Sequence, residues 1–333
     1  MKFKIISDSF EMVKGGIEKQ AEILNYLLHT NGYDSELISF SEFRFREVTQ
    51  EDILIIEGIH RSFLLKLLFH RNRNRIVLFT HGSFYLWSDE GRRFIKSSET
   101  PFPKLKRMFD ILFMKHILVR INLIVTLSVR ESVDISNLFS SKSLNFYDLG
   151  NFSDEPDSTK YDLPKDLETL KGGYICYIGR LEKRKNPVAL VEAAIKLDTP
   201  VVFAGQDQGE LIKLRNFCSK NNFNKLIYLG IVSKEMKFAL IKYSNFIVIP
   251  SFFEGLPTVA LEAIKIHKRV ILTKYCYMNP HPCISFVDPS SEDILREIQA
   301  VKGKSICATG YTNNTIILKN FLNIIETQFD NSR

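Results

Sequence analysis

Short runs of apolar residues alternate along the chain with longer segments whose apolar residues recur at helical spacing. Between the first two runs, apolar positions recur from Ile17 to Leu28, and Gly32 follows as a helix stop signal. Runs without internal alternation of polar and apolar residues are typical of parallel strands that helices cover on both faces. The first half of the chain is therefore predicted to form βαβ units. Its apolar runs occupy residues 3–7, 53–57, 76–80 and 123–128.

The alternation restarts after a polar, turn-rich stretch at 151–171, which we interpret as an interdomain linker. The apolar runs that follow occupy residues 174–179, 200–205, 225–230, 246–251 and 269–273. We therefore predict an α/β protein with two Rossmann-like, doubly wound parallel-sheet domains, at 1–155 and 156–312. A C-terminal helix at about 313–330 is expected to pack back on the first domain. Ligands of open α/β sheets bind at the carboxyl ends of the strands, so the two domains are expected to face a central cleft.

Length and composition agree with two globular domains. The chain has 333 residues, of which 45% are hydrophobic and 25% charged, and single cores stop growing at about 250–300 residues. The five cysteines form no CxxC pair, which indicates a reducing compartment and no structural zinc. The most apolar stretch, 111–127, is interrupted by charged residues, and the apolar run at the amino terminus is too short for a signal peptide. We therefore predict a cytoplasmic protein without a membrane span.

The net charge of +7 favours an anionic partner. A nucleotide, a nucleic acid and an acidic membrane surface all meet this condition, so the charge by itself does not decide among them. The sequence has neither an aromatic stacking platform nor a known nucleic-acid-binding module. We therefore expect no nucleic-acid partner.

Two glutamates stand eight positions apart in the segment IPSFFEGLPTVALEAI. Glu254 follows a predicted strand, and Glu262 lies in the helix predicted after it. Eight residues of helix span about 12 Å, comparable to the stretch from a nucleotide's ribose across its diphosphate to a hexose. Carboxylates at the two ends could each accept hydrogen bonds from sugar hydroxyls. The alternative is a solvated Glu254 and a structural ion pair between Glu262 and a neighbour such as Lys265.

An anion site is predicted between these two glutamates. If the helix begins near Pro257, a residue type favoured at the first helical position, the free amides of Thr258 and Val259 lie at the positive end of the helix dipole. We expect a diphosphate to bind there.

A second cluster of candidates follows an earlier strand, in the segment GRLEKRKN. The segment places Gly179, Arg180 and Lys185 at a strand-to-helix turn. A planar guanidinium and a mobile ammonium at one strand end can neutralise a leaving diphosphate. We expect Lys183 and Arg184, between them, to face solvent.

In combination these motifs resemble glycosyltransferase family 4, the glycosyl transferases group 1, over most of the chain. The resemblance rests on a strand followed by GR and a Lys five positions on, and on a strand ending in PS followed by EG and a second Glu. It implies a GT-B fold and transfer that retains the anomeric configuration. It also implies that Arg180 and Lys185 bind the donor diphosphate, that Glu254 orients the hexose and that Glu262 holds the ribose hydroxyls. Gly255 of the EG pair belongs to the same donor site.

Three further glycines match glycine-rich turns of that family. Gly205, in PVVFAGQDQGE, would let the chain approach the nucleotide, although Gln206 to Gln208 depart from the family's pattern. Gly15 and Gly16, in KGGIEKQAEIL, would let backbone amides approach the donor phosphate or the acceptor. For all three the alternative is a tight turn that binds no ligand.

His81 ends a predicted strand in LFTHGSF, where family members often carry a histidine near the transferred sugar. We predict a functional role for it, against the alternative of a structural histidine. His60, after the preceding strand, and Asp89, in the loop after His81, are further acceptor-side candidates. For Asp89 the alternative is a solvated side chain.

Residues 101–120 combine basic side chains with aromatic and aliphatic ones. A helix of this kind can lie in a bilayer interface, and relatives with lipid-linked acceptors often dock in this way. The alternative is a packing helix with a charged outer face. The resemblance therefore implies a protein that is peripheral on the cytoplasmic face of the inner membrane.

The resemblance implies transfer of a hexose-type sugar from a nucleotide diphosphate sugar, with a UDP-sugar favoured and a GDP-sugar second. The acceptor would be a glycan or lipid-linked molecule of bacterial surface polysaccharide or lipopolysaccharide synthesis. Glu254, His81, Arg180 and Lys185 are the catalytic candidates, in a same-face displacement assisted by the departing diphosphate. No DxD pair with metal-ligand spacing stands out, so no metal or other cofactor is expected. A nucleotide-sugar epimerase with the GT-B fold and a catalytically silent binding homologue remain alternatives.

One segment departs from the family's pattern. After RVILT the family usually has a glycine-containing donor loop, and here TKYCYMNPHPC takes its place. The choice of sugar and base therefore does not follow from the resemblance.

Overall fold

The computed structural model of the protein describes residues 1–7, 16–59, 63, 66–67, 75–84, 103–140, 144–156, 161–171, 173–303 and 313–330. The chain divides into two compact units. Unit 1 comprises Met1–Ser153 with Thr312–Arg333, and unit 2 comprises Asp154–Tyr311. In these ranges no helix is both long and apolar enough to cross a bilayer.

Strands and helices alternate through both units. The strands are β1 (Lys2–Ser7), β2 (Asp34–Ser39), β3 (Asp52–Glu57), β4 (Arg75–Phe79), β5 (Leu123–Thr126), β6 (Phe146–Asp148), β7 (Ile175–Ile178), β8 (Val201–Ala204), β9 (Leu226–Tyr228), β10 (Phe246–Ile249), β11 (Val270–Thr273) and β12 (Ile284–Val287). The helices are α1 (Gly16–Thr30), α2 (Pro103–Leu118), α3 (Val129–Phe139), α4 (Pro187–Lys196), α5 (Leu211–Lys220), α6 (Lys234–Tyr243), α7 (Thr258–Lys265), α8 (Ser291–Val301) and α9 (Asn314–Asp330).

Unit 1 is built on a six-stranded parallel sheet of order β2-β1-β3-β4-β5-β6. Successive side chains of a strand point to opposite faces, and β3 is buried on both. Ile53 and Ile55 pack with Leu24 of α1 on one face, while Leu54 and Ile56 join the core that contains α2 and α3 on the other. This two-sided burial explains why the strands read as continuous apolar runs.

Helix α9 belongs to unit 1 although it ends the chain. Phe321 and Ile325 are fully buried in the same core as β1 and α1. At its start, the side-chain amide of Asn314 donates to the carbonyl of Ser153 at 2.7 Å, and its oxygen accepts from the Ser153 amide at 3.1 Å. The returning helix is thereby tied to the end of the first half of the chain.

Unit 2 repeats the architecture with the sheet order β12-β11-β10-β7-β8-β9, again all parallel. Alternate residues of β7 enter different cores. Ile175 and Tyr177 pack on the face covered by α4, α5 and α8, whereas Cys176 packs on the face covered by α6 and α7. The neighbouring strands β7 and β10 end side by side at the carboxyl edge of the sheet, where ligands of such sheets bind.

Candidate active site

Two of the predicted site residues of unit 2 are in direct contact. Glu254 lies in the turn after β10, and Lys185 closes a short 3-10 turn, Lys183–Lys185, that follows β7. Lys185 Nζ donates to Glu254 Oε1 in an ion pair whose side chains are only 17% and 9% exposed. The GRLEKRKN and PSFFEG segments therefore form one cluster of charges.

Asn186 holds the basic turn over Glu254. Its backbone φ is +51°, a left-handed conformation that Asn tolerates better than most residues. Its side-chain amide donates to the carbonyls of Pro250 at 3.1 Å and Pro289 at 3.0 Å, so the turn is bound to two other strand ends. Helix α4 starts at the next residue, Pro187, which suits a first helical position.

Arg184 corrects one sequence-based prediction, because its side chain does not simply face solvent. The guanidinium donates to the carbonyl of Phe253 at 2.7 Å and to Glu182 Oε1 at 2.8 Å. Its Nη1 also lies 3.6 Å from Glu254 Oε2. Phe253 and Glu254 belong to the turn after β10, which is far away in sequence, whereas Glu182 lies two residues before Arg184. The neighbouring Lys183 is exposed, as predicted.

The surroundings of Glu254 favour its ionised form. Burial raises the pKa of this carboxyl group, but the charges of Lys185 and Arg184 and a 2.7 Å hydrogen bond from Ser251 Oγ more than compensate, so its pKa lies below the usual value. Burial lowers the pKa of Arg184, but the carboxylates of Glu254 and Glu182 raise it by more. The net shift is upward, so the guanidinium stays charged. Glu254 is therefore a buried anion with acceptor capacity for a ligand.

Arg180 is brought to the same strand end but is not locked in place. Its side chain is 47% exposed, and its Nη2 lies 3.8 Å from Glu182 Oε1. Its backbone carbonyl accepts a 2.7 Å hydrogen bond from the Tyr177 hydroxyl. The backbone is thus held while the guanidinium stays accessible to an anion.

The structure gives Gly205 a packing role. A Cβ atom at this position would lie 2.0 Å from the carbonyl oxygen of Gly179, and the Gly205 φ is +140°. The Gly179 amide donates to Ala204 O at 2.9 Å, and the Gly205 amide to Gly230 O at 2.7 Å. The turns after β7 and β8 therefore touch backbone to backbone, which supports the tight-turn alternative for Gly205.

Helix α7 begins at Thr258, with Pro257 as its N-cap in an extended conformation. Amides of the first helical turn have no partner within the helix, so those of Thr258 and Val259 stand at the positive end of the dipole as the sequence suggested. Gly255, just before the helix, accepts a 2.9 Å hydrogen bond from the Tyr277 amide through its carbonyl.

Glu262, inside α7, is 1% exposed and pairs with a lysine that the sequence analysis did not consider. Lys237 Nζ of α6 lies 2.6 Å from Glu262 Oε1 and 2.7 Å from Asp154 Oδ2. Burial lowers the pKa of Lys237, but the two carboxylates outweigh it and the net shift is upward. Lys265, the partner considered from the sequence, instead pairs with Glu155 at 2.8 Å.

His81 of unit 1 forms a buried pair with Glu57. Its Nε2 hydrogen-bonds Glu57 Oε2, with side chains 5% and 1% exposed, and its ring stacks on Phe79. The His81 φ is +50°, a strained value for a residue with a Cβ atom. The next amide, that of Gly82, donates to Glu131 Oε1 at 2.7 Å, and burial raises the pKa of that carboxyl group.

Glu57 also carries a buried oxygen that lacks a hydrogen-bond partner in the part of the chain that the structure describes. This atom is Oε1, the second oxygen of the carboxyl group that holds His81. A buried polar atom left unpaired costs free energy. The His81–Glu57 pair at the ends of β4 and β3 therefore includes one buried oxygen whose hydrogen-bonding capacity the described residues do not use.

Three predicted residues, Gly15, His60 and Asp89, lie outside the described residues. Gly16 is the first residue of α1. Of the basic and aromatic stretch 101–120, residues 103–118 form α2, in which Met114 and Ile117 are fully buried while Leu112 is 49% exposed. One face of α2 thus packs on unit 1.

No arrangement of three or more His, Cys, Asp or Glu side chains suited to a metal ion occurs within the described ranges. The charged groups of the unit 2 site are instead compensated by one another. The chemistry available there is anion binding by Arg180, Lys185 and helix amides, and hydroxyl binding by two carboxylates.

Sequence reasoning missed four residues that contact the predicted site. Arg184 and Ser251 contact Glu254, Lys237 contacts Glu262, and Glu57 contacts His81. Only Glu57 carried a readable signal, because a charged residue at the carboxyl end of an apolar strand lies where ligands bind. The contacts of Arg184 and Lys237 join segments distant in sequence, whereas Ser251 contacts Glu254 three residues further along the same turn.

Comparisons with known proteins agree with this geometry. Residues 161–288 match the family model described as Glycosyl transferases group 1. Sucrose-phosphate synthase from Thermosynechococcus elongatus has a similar structure, with a TM-score of 0.77 and 14% identity over 99% of this chain and 100% of that one. Anabaena HepE in complex with UDP and glucose has a TM-score of 0.64 and 14% identity, over 98% and 95% of the two chains.

The apo form of the lipopolysaccharide outer core galactosyltransferase WaaB is a third similar structure. Its TM-score is 0.63, and the identity is 14% over 99% of this chain and 100% of that one. No sequence among the curated proteins shows a significant match. At such identities the structural likeness establishes the fold, and the predicted GT-B class with two parallel-sheet units is confirmed.

The matched region contains Lys185, Glu254 and Glu262. The match over residues 161–288 agrees with the resemblance to glycosyl transferases group 1 that the sequence motifs indicated. A match to a family of glycosyl transferases is what the predicted enzyme class requires of this region.

Proposed function

We propose that this protein transfers a hexose from a UDP-sugar, in preference to a GDP-sugar, to a glycan or lipid-linked acceptor in bacterial surface polysaccharide or lipopolysaccharide synthesis. The reaction retains the anomeric configuration, and the enzyme acts in the cytoplasm, peripherally on the inner membrane face. Two similar proteins support the choice of donor and pathway: Anabaena HepE was solved with UDP and glucose, and WaaB is a lipopolysaccharide outer core galactosyltransferase.

The observation that carries this proposal is the buried cluster at the ends of β7 and β10. Lys185 lies on Glu254 there, and Arg180 stands half-exposed at the same strand end. In the proposed complex the diphosphate binds Arg180, Lys185 and the amides of Thr258 and Val259. Positive groups at the leaving diphosphate stabilise the charge that builds up on it as the glycosidic bond breaks.

The two carboxylates would bind opposite ends of the donor. Glu254 is buried and ionised, with Ser251 orienting it, so it can accept hydrogen bonds from the hexose hydroxyls. Glu262 would accept hydrogen bonds from the ribose hydroxyls while it stays paired with Lys237. Gly255, between the two, lies at the turn that leads into helix α7.

On the acceptor side, His81 would lie near the transferred sugar. Its ring is held by Glu57. The second carboxylate oxygen of Glu57 has no hydrogen-bond partner within the described ranges, and it could accept a hydrogen bond from a hydroxyl group of the acceptor substrate. His60 and Asp89 remain candidates for the same side, and Gly15 and Gly16 remain candidates for donor binding. A membrane role of 101–120 is supported by the exposed Leu112 of α2.

A donor screen tests the proposal. Thermal-shift assays with UDP- and GDP-sugars identify the ligand, because a ligand that binds only the folded state raises its stability. The selected donor is then incubated with the protein, and the product is analysed by NMR. We expect UDP release and an anomeric configuration equal to that of the donor in the transferred or hydrolysed sugar.

Glu254→Ala should abolish this turnover in a folded protein, and near-normal turnover would remove Glu254 from the site. Conversion of the donor to a different nucleotide sugar without an acceptor would indicate an epimerase. Donor binding without any turnover or slow hydrolysis would indicate a silent homologue. An inverted product would contradict the retaining assignment.

A further inference from the structure

The two oxygens of Glu254 have different partners. Oε1 accepts from Ser251 Oγ at 2.7 Å and from Lys185 Nζ. Oε2 faces the Arg184 guanidinium at 3.6 Å. Glu254 is therefore neutralised from two sides by two cations with separate positions.

Arg184 is much more firmly placed than an ordinary surface arginine. Its two terminal nitrogens donate to Phe253 O at 2.7 Å and to Glu182 Oε1 at 2.8 Å. Its backbone carbonyl accepts from the Phe252 amide at 2.9 Å, so the two loops are also joined independently of the side chain. The guanidinium is thus fixed beside Glu254 by contacts that no ligand needs to supply.

Under the proposed function, Lys185 has two anionic partners, Glu254 and the donor diphosphate. Lys185 is paired with Glu254, yet the proposed donor diphosphate needs the same ammonium. Lysine has a flexible stem and can move between anions, whereas the planar guanidinium of Arg184 is held at fixed acceptors. Glu254 is only 7% exposed. If Lys185 turned to the diphosphate, this buried carboxylate would lose one of its two cations, and a buried carboxylate without a cation is strongly disfavoured.

We propose that Arg184 is a positioning residue for the donor sugar, which keeps Glu254 ionised and aimed at the hexose hydroxyls while Lys185 binds the diphosphate. The proposal rests on the proposed function, since it presumes a nucleotide-sugar donor at this site. Arg184 acts through Glu254 and touches the donor nowhere itself. Replacing Arg184 should therefore weaken binding of the hexose and leave binding of the nucleotide unchanged.

The test compares the affinity of the protein for UDP with its affinity for UDP-glucose and UDP-galactose, by titration calorimetry. Arg184→Met removes the charge, Arg184→Lys keeps the charge without the planar fork, and Lys183→Met removes an exposed charge from the same 3-10 turn as a matched control. We expect Arg184→Met to weaken binding of the UDP-sugar about tenfold to a hundredfold, as loss of a charge-assisted hydrogen bond does. UDP binding should change by less than about twofold.

The other two variants refine the result. Arg184→Lys should fall between the wild type and Arg184→Met, because an ammonium cannot meet Phe253 O, Glu182 and Glu254 at once. Lys183→Met should bind both ligands like the wild type. Unchanged UDP affinity also reports that the variant proteins are folded.

A pH profile adds a readout that a purely structural arginine would not move. The groups that face Glu254 are Lys185, Arg184, Ser251 and the Tyr177 hydroxyl, with Glu182 behind Arg184. Both cations lower the pKa of Glu254, so donor-sugar binding is lost as the pH falls through that lowered pKa. Without Arg184 the acid limb of UDP-sugar binding should move to higher pH, and that of UDP should stay.

Equal weakening of UDP and UDP-sugar by Arg184→Met would overturn the proposal, since it would mark a general structural role. Unchanged binding of both ligands, or an unmoved acid limb, would overturn it as well. These outcomes differ from failure of the proposed function, in which the wild-type protein itself binds neither UDP nor a UDP-sugar. The wild-type titration is therefore read first.

Discussion

Lys237 offers a quantitative test of how much the buried pair with Glu262, the carboxylate proposed to bind the ribose, contributes to stability. Its Nζ lies 2.6 Å from Glu262 Oε1, and the two side chains are 13% and 2% exposed. The chain also contains a control pair of similar geometry at the surface. Lys196 Nζ lies 2.9 Å from Glu292 Oε1, with side chains 46% and 64% exposed. Both pairs belong to unit 2, so they affect the same unfolding transition.

The two pairs should contribute different amounts to the free energy of unfolding. Replacing Lys237 by Met keeps most of the aliphatic stem but leaves Glu262 and Asp154 without their shared cation, which for a buried pair costs about 3–5 kcal/mol. Lys196→Met removes a solvent-screened pair worth about 0–1 kcal/mol. In a unit of this size about 1 kcal/mol corresponds to about 2–4 °C, so Lys237→Met should lower the unit 2 melting temperature by about 6–20 °C.

The measurement is calorimetric melting at pH 7 and pH 9, since a two-unit chain need not unfold in a single step. The pKa of Lys237 is raised in the folded protein, so the pair's contribution is full below the unfolded pKa of about 10.4. It is lost only as the pH rises through the higher folded pKa. The difference between wild type and Lys237→Met should therefore be the same at both pH values. Equal effects of Lys237→Met and Lys196→Met would refute the reasoning.

Two other predictions use the same kind of matched comparison. Gly205→Ala should destabilise unit 2 by more than about 4 kcal/mol, because the new Cβ atom would lie 2.0 Å from Gly179 O. The control is Gly209→Ala, whose Cβ atom meets nothing within 4 Å and which should cost only about 1–3 kcal/mol of backbone strain at φ +92°. Similar melting temperatures for the two variants would contradict the packing role of Gly205. Glu57→Gln should lower kcat for transfer about tenfold or more while leaving UDP-sugar affinity unchanged, because the charge behind His81 is lost but the donor site is untouched; an unchanged kcat would show that the pair is only structural.

The fold could be predicted well from the sequence because its signals are local. Strands buried on both faces must be apolar throughout, so β3, β7 and β10 are visible as runs. The residue types that can bind phosphate and sugar hydroxyls were also visible locally, because they directly follow the predicted strands. Their partners were not, because a side chain's neighbours depend on how separate loops meet.

Arg184 illustrates this limit. In the sequence it is one basic residue among three in a row, and nothing local distinguishes it from the exposed Lys183. Its direction is set by the left-handed Asn186, which is bound to the carbonyls of Pro250 and Pro289. Those carbonyls are brought to Asn186 only by the order of strands in the sheet, which periodicity does not reveal.

The same limit applies to the two glutamates, and it separates their roles. Each was predicted as a free acceptor for sugar hydroxyls, yet each already holds a lysine, Lys185 on Glu254 and Lys237 on Glu262. A nucleotide sugar brings its negative charge only at the diphosphate, so we expect Lys185 to have a competing anion and Lys237 to have none. When the donor binds, Glu254 would then lose its contact with Lys185 and accept hydrogen bonds from neutral hydroxyls instead. Glu262 would keep its contact with Lys237 and accept hydroxyl hydrogen bonds in addition. A second, immobile cation is therefore needed beside Glu254, and Arg184 is placed to supply it.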